Sequence, residues 1–240
     1  MTRELLVDGL VNARDLGGLP LVRGGTTPRG VVFRSENLDR VTDAGWASLR
    51  AAGIRTVIDL RQPSEIEAAG RGPRPTWLTT VEIDHDGLED TVFWADYWET
   101  GLVGTALYYL PHLDAMPERT GAVLAAIANA GPGGVLFHCA GGRDRTGIVA
   151  LALLSVVGVR PETIVDDYLA TVSSSAALFA AMGRPDPEPR IEELCRARGT
   201  TNADAFRATV AGFDVERFVD RSGLTDVELE ALRTWRGTLT

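Results

Sequence analysis

The sequence contains no lysine; all 24 of its basic residues are arginine. That removes Schiff-base chemistry and a P-loop lysine from the available mechanisms. Cysteine is scarce as well, with Cys139 and Cys195 the only two in 240 residues. Two are too few for a disulfide framework, so a reducing, cytoplasmic setting is expected. The three histidines, His85, His112 and His138, show no ligand spacing with carboxylates or cysteines. No metal and no other cofactor is expected on that ground. Positive charge is in deficit, 24 arginines against 33 acidic residues for a net charge of −9. This balance argues against a non-specific grip on nucleic acid or on an anionic membrane. An anionic ligand must therefore be held by a local cluster of donors working against the global field. Long apolar runs are missing too. The longest, GIVALALLSVVGV at residues 147–159, falls short of the roughly 20 residues that span a bilayer and reads as a buried core helix. No stable membrane insertion is expected. The first ten residues, MTRELLVDGL, lack the basic start and apolar stretch of a signal peptide, though secretion by another route stays open.

What is present fits an ordinary globular chain, 45% apolar and 24% charged, long enough to bury a core without staples. One domain over residues 1–240 is expected. Three β-branched runs, residues 31–33, 56–60 and 134–138, read as buried strands, with residues 77–83 a weaker fourth. Helical patterns lie between them. Thr42 is placed to cap a helix through Trp46 and Leu49 that ends at Gly53, and residues 117–130 form an alanine-rich helix closed by GPGG. Strands alternating with helices imply an α/β fold: a central, mostly parallel twisted sheet flanked by helices. After residue 160 only helices are expected. Pro161 opens one, Asn202 caps another, and Thr225 with Glu228 forms a capping box before the last. Two stretches interrupt this plan, residues 84–105 with Phe93, Trp94, Tyr97 and Trp98, and residues 173–201 with the breaker-rich GRPDPEPR. Each reads either as a helical lid over a site or as a helical cover for the core.

The segment that carries chemistry is VLFHCAGGRDRTGIVALALL, residues 135–154. It reads as a buried strand, a short loop and a helix. Backbone N–H groups of a tight loop entering a helix make an anion site. Gly141 and Gly142 let the backbone curl without a side chain in the way. Arg145 offers a fork of donors to two oxygens of a phosphate. The same positive surroundings favour the thiolate of Cys139 at the start of the loop. Taken singly, such a cysteine is usually core, such an arginine a surface charge and a Gly-Gly pair a turn. The conjunction of His138, Cys139, Gly142, Arg145, Thr146 and Gly147 in ten residues points to one loop that binds a phosphate and supplies a nucleophile. Cys195 has no such companions and reads as structural.

HCAGGRDRTG resembles the signature loop of the cysteine-dependent protein tyrosine phosphatase superfamily, His-Cys-x5-Arg-Thr/Ser. More narrowly, it resembles the atypical bacterial tyrosine and lipid phosphatases of the mycobacterial PtpB type, whose loop usually reads HC-x-AGKDRTG. NARDLGG at residues 12–18 is similar to that family's Asn-x-Arg-Asp-x-Gly-Gly motif. Residues 33–65, from FRSENLDR to RQPSE, are similar to its arginine-serine, helix and Asp-Leu-Arg…Glu stretch. The resemblance covers residues 10–170 well and the C-terminal helices loosely. Arg143 stands where the family usually has lysine, which keeps the charge but replaces a point charge with a planar fork.

The resemblance implies the tyrosine phosphatase fold with extra C-terminal helices. It also implies a two-step hydrolysis of phosphomonoesters through a cysteinyl phosphate. Cys139 is the expected nucleophile. The loop from Ala140 through Gly141, Gly142, Arg143 and Asp144 to Arg145 is the expected phosphate cradle. Thr146 is expected to hydrogen-bond the sulfur, and His138 to orient the loop rather than act as a base. Arg14 and Asp15 of the N-terminal motif, with Asp59, are expected to support the site. The acid that protonates the leaving oxygen is expected to be Asp86, ahead of Asp144 and then Asp59, with Asp84 a further candidate. For Asp59 a structural role is favoured, as a partner that orients Arg14 or Arg61. The expected substrate is a phosphorylated protein or a phosphoinositide. Trp94, Tyr97 and Trp98 read as core before they read as the lining of a slot. Two rival functions remain: a phosphate-binding module without turnover, and a sulfurtransferase of the rhodanese type, whose anion loop is shorter.

Overall fold

The computed structural model describes residues 2–70 and 72–239. The three apolar runs become the middle of a five-stranded sheet. Its strands are β1 (Arg14–Asp15), β2 (Val32–Ser35), β3 (Ile54–Asp59), β4 (Thr79–Glu82) and β5 (Gly134–His138), in the spatial order β1-β2-β5-β3-β4. All neighbours run parallel except β1, which is antiparallel to β2. β1 has only two residues, too short to leave a pattern in the sequence.

Side chains alternate across the sheet with the period of two that a strand imposes. Val135 and Phe137 enter the larger core with Ile58, while Leu136 and Val57 enter a smaller one with Phe33, Leu49 and Ile54. Eleven α-helices are found among the described residues: α1 (Asp43–Ala51), α2 (Pro63–Ala69), α3 (Thr91–Trp98), α4 (Tyr109–Ala115), α5 (Pro117–Asn129), α6 (Asp144–Val157), α7 (Pro161–Ala181), α8 (Glu188–Arg196), α9 (Asn202–Gly212), α10 (Val215–Arg221) and α11 (Asp226–Arg233). The apolar run at residues 147–159 is mostly α6, whose middle residues are buried on every side. Gly158 ends α6 in the left-handed region at φ 84°, where glycine carries no Cβ penalty.

The helix ends follow the sequence with one exception. Thr42 caps α1, and Thr225 with Glu228 forms the box of α11. α9 is capped by Thr201, whose hydroxyl accepts from the Asp204 amide. Asn202, expected as that cap, is instead buried and accepts from the Tyr168 hydroxyl at 2.9 Å. Among the described residues no helix is long and apolar enough to cross a membrane.

The register makes the C-terminal ends of the three central strands level. Ser35 on β2 and Asp59 on β3 both pair with His138 on β5. In a parallel sheet this edge is where ligands bind, and Cys139 follows directly from it.

Candidate active site

The chain leaves β5 at Cys139 and curls back into α6 through the loop at residues 139–143. Gly142 has φ 66°, and a Cβ there would lie 2.4 Å from the Ser35 carbonyl oxygen. Only glycine fits a backbone packed so closely against the end of β2. The loop's carbonyls are pulled outward. That of Ala140 accepts from the amide of Asn37 at 2.9 Å and from its Nδ2 at 3.0 Å. That of Gly141 accepts from Asn12 Nδ2 at 3.3 Å, and that of Gly142 from Arg34 Nη2 at 2.8 Å. No peptide bond among the described residues is cis, and in a trans peptide the following N–H points opposite to the carbonyl. The amides of Gly141, Gly142 and Arg143 therefore point away from Asn37, Asn12 and Arg34 respectively.

Arg145, in the first turn of α6, lines the same cavity as Cys139. Its Nη1 and Nη2 donate to both carboxylate oxygens of Glu65, the Nη2 contact being 3.0 Å, and Nη1 also reaches Asp86 Oδ2 at 3.2 Å. Glu65 is held from behind by the N-terminus of α2, where the Gln62 amide donates to Oε2 at 3.1 Å. Gln62 Nε2 donates to Asp86 Oδ2 at 2.7 Å. Burial works against a charged Arg145, but the hydrogen bond to Glu65 and the charges of Cys139 and Asp86 outweigh it and hold its pKa well above the ordinary value. Burial likewise opposes a charged Glu65, yet Arg145 keeps that carboxyl below its usual range. Asp86 behaves differently: burial raises its pKa despite the nearby Arg145. Burial raises Asp144 as well, with Arg143 and Arg145 opposing.

A cavity of about 490 Å³ opens at the loop, lined there by Cys139, Ala140, Gly141, Arg143, Asp144 and Arg145. Apolar lining comes from both interrupting stretches, Val103 after α3, Leu178 and Met182 at the end of α7, Ile191 and Leu194 on α8, with Asn37, Thr171, Ser175, Arg184 and Arg190 as polar lining beside it. Asp144 lines this cavity and Asp86 does not. Of the other candidate acids, Asp59 is fully buried and paired with Arg61, with Nη2–Oδ2 at 2.8 Å. Burial would push its pKa up, but Arg61 prevails and keeps it low. Asp59 thus orients Arg61, which also binds Asp39 at 2.6 Å. Asp84 pairs with Arg119 at 3.6 Å.

His138 is buried, with Nδ1 3.0 Å from the Cys139 carbonyl and Nε2 3.7 Å from Asp59 Oδ2. A carbonyl only accepts, so Nδ1 carries the hydrogen. Burial lowers the pKa of His138 to about 4, and the ring sits neutral, pinning the start of the loop. The Thr146 hydroxyl is buried and makes no hydrogen bond among the described residues, to Cys139 Sγ included. The sulfur contact expected of it is therefore absent here.

Two expected residues are engaged with other partners. The guanidinium of Arg143 lines the cavity, but its charge is already engaged. It is ion-paired with Glu188 and hydrogen-bonded to the Tyr168 hydroxyl at 3.2 Å, 5.8 Å from that ring's centroid. Asp15 is not brought to the loop at all; its carboxylate accepts from the Gly17 and Gly30 amides at 2.7 and 3.0 Å and fixes a turn. Arg14 supports the site at one remove, donating to Asn12 Oδ1 at 2.6 Å. Trp94 is buried and donates to the Asp86 carbonyl at 3.0 Å, whereas Trp98 is exposed, and neither lines the cavity. Both cysteines are free and buried.

Sequence reasoning missed Asp167, the hub of the loop's support. It is fully buried on α7 and takes Arg14 at 2.8 Å, Arg34 at 2.7 Å and Arg3 at 2.8 Å. Glu65 and Gln62 were missed too. The Glu in the Asp-Leu-Arg…Glu stretch was the available signal for Glu65. Nothing marked Asp167 beyond its place on the inner side of a helix.

A cysteine and an arginine that line one cavity at the carboxyl edge of a parallel sheet match the class of the cysteine-dependent phosphatases. A family model described as the tyrosine phosphatase family matches residues 5–235, and the chain belongs to that family. It is 32% identical over 170 residues to a Cupriavidus necator protein assigned as a tyrosine-protein phosphatase, covering 69% of this chain and 62% of that one. It is 30% identical over 238 residues to the triple specificity protein phosphatase PtpB of Mycobacterium tuberculosis, covering 88% and 80%. A Nostoc commune tyrosine-protein phosphatase is 32% identical over 165 residues, covering 62% and 51%. The chain thus spans between half and four-fifths of the length of these relatives.

Proposed function

We propose that this chain hydrolyses phosphomonoesters through a cysteinyl-phosphate intermediate, as a protein tyrosine or dual-specificity phosphatase. The observation that supports the reading is the loop itself: Cys139 and Arg145 line one cavity, and the carbonyls between them are tied to Asn37, Asn12 and Arg34. Cys139 attacks phosphorus, the bond to the leaving oxygen breaks, and water then releases phosphate from sulfur. The amides of Gly141, Gly142 and Arg143 hold the equatorial oxygens. Glu65 occupies the Nη1–Nη2 edge of Arg145 and so leaves the Nε edge for the phosphate.

The leaving oxygen needs a proton. Asp144 lines the cavity and burial favours its neutral, donating form, so Asp144 is placed first. Asp86, the sequence's first choice, comes second, because Arg145 and Gln62 hold its carboxylate behind the rim. In this reading the residues at 84–105 and 173–201 cover the catalytic cleft of one domain, His138 positions the loop and Thr146 acts through helix packing. Membership of the tyrosine phosphatase family leaves the sulfurtransferase reading without support, and a module without turnover has no need of both Cys139 and Arg145. A cytoplasmic location fits two free cysteines. Turnover of an aryl phosphate by the intact chain, abolished in Cys139→Ser, is the test; activity retained by that variant overturns the reading.

A further inference from the structure

Four arginines line the cavity above the loop: Arg143, Arg145, Arg184 and Arg190. Three are held by carboxylates. Arg143 pairs with Glu188, Arg145 with Glu65 and Asp86, and Arg190 with Glu193 at 2.6 Å. Arg184 is the exception among the described residues. It is exposed, and its guanidinium packs 5.6 Å from the centroid of the Phe179 ring, with no carboxylate partner. Its backbone is fixed as well, the Arg184 amide donating to the Phe179 carbonyl at 2.9 Å. A guanidinium stacked on an aromatic face keeps its plane while its N–H edges stay free to bind an anion. In a chain of net charge −9, an unpaired cation at the mouth of the one cleft that holds the nucleophile marks where a second negative group is read.

We propose that Arg184 is a specificity-determining residue that binds an acidic side chain flanking the phosphotyrosine of a peptide substrate. The proposal rests on the phosphatase reading above and deepens it. The choice of a peptide follows from the walls. Leu178, Met182, Ile191 and Leu194 offer apolar surface to an aromatic ring standing on the loop. The hydroxyl-rich ring of an inositol head group has no apolar face of that size to set against these four side chains. The other cations a second phosphate could use are paired, Arg143 with Glu188 and Tyr168 and Arg190 with Glu193.

The test compares two phosphotyrosyl peptides that differ only in glutamate or glutamine beside the phosphotyrosine, assayed with the full chain. The readout is the ratio of their kcat/KM values, so a change common to both peptides cancels. The wild type should favour the acidic peptide by about three- to fivefold at low salt, the size of an exposed ion pair, and the ratio should shrink as salt rises. Arg184→Gln should bring the ratio to one, and Arg184→Lys should restore part of it. A wild-type ratio of one, or a preference that survives Arg184→Gln, overturns the proposal. So does a result in which Arg184→Gln spares the peptide ratio but lowers kcat/KM on a doubly phosphorylated inositol head group. Failure of the wild type on both peptides and on nitrophenyl phosphate would instead count against the phosphatase reading.

Discussion

Arg34 donates from Nη2 to the Gly142 carbonyl at 2.8 Å while its Nη1 holds Asp167 Oδ2 at 2.7 Å. One buried guanidinium thus joins the most tightly curled point of the loop to a carboxylate on α7. The loop's shape depends on charges that never face the cleft.

Asp167→Asn should be strongly destabilising, because it leaves three arginines around a buried site with no compensating charge. The expected loss is about 3–5 kcal/mol in urea unfolding. Burial alone would raise the pKa of Asp167, but Arg14 and Arg34 outweigh it and hold the group far below the usual carboxylate range. A depressed folded pKa gives stability that is complete above the unfolded value near 4 and is lost as pH falls below it. The wild type should therefore lose stability steeply below about pH 4.

His138 and His112 are buried and neutral, each lowered by burial to about 4. The unfolded chain takes up protons from about pH 6.5 downward while the folded chain does not. Stability should fall as pH drops from about 6.5 toward 4, the sign set by the lower folded pKa. Nitrogen-15 NMR should show His138 neutral at pH 6 with its hydrogen on Nδ1. An Nε2–H tautomer would contradict the contact with the Cys139 carbonyl.

Gly142→Ala should fold with a stability loss of more than about 1 kcal/mol, since alanine is strained at a positive φ and its Cβ meets Ser35. Binding of inorganic phosphate or vanadate, followed by titration, should weaken more than the stability change alone implies. Unchanged affinity would mean that the cradle is not made of backbone.

Asp144→Asn should lower kcat by about 10²- to 10⁴-fold on alkyl or phenyl phosphates and far less on nitrophenyl phosphate, whose leaving group needs little protonation. Asp86→Asn should act on both substrates alike, by altering the hold on Arg145. The reverse pattern would return the acid's role to Asp86.

The parallel sheet, the core helix α6 and the loop were legible because each is written in one continuous window. β5 runs from Gly134 to His138, where the apolar run had placed it. The supports were not legible. Asp167 acts on residues more than 130 positions away, and such a pairing has no local period to read. Arg143 shows the same limit from the other side. Its charge is plain in the sequence, but Glu188, which neutralises it, lies two helices further along the chain. Asn202 has the composition of a helix cap, and a buried hydrogen bond to Tyr168 recruits it elsewhere while Thr201 takes the cap.

The account centres on Cys139 as the atom that takes the phosphoryl group. Rapid acid quenching of the wild type during turnover of a phosphotyrosyl peptide, followed by digestion and mass spectrometry, tests this most directly. A phosphoryl adduct on the peptide containing Cys139, absent in Cys139→Ser, is the predicted result. An adduct on any other residue, or turnover without an adduct in a variant lacking this sulfur, would contradict it.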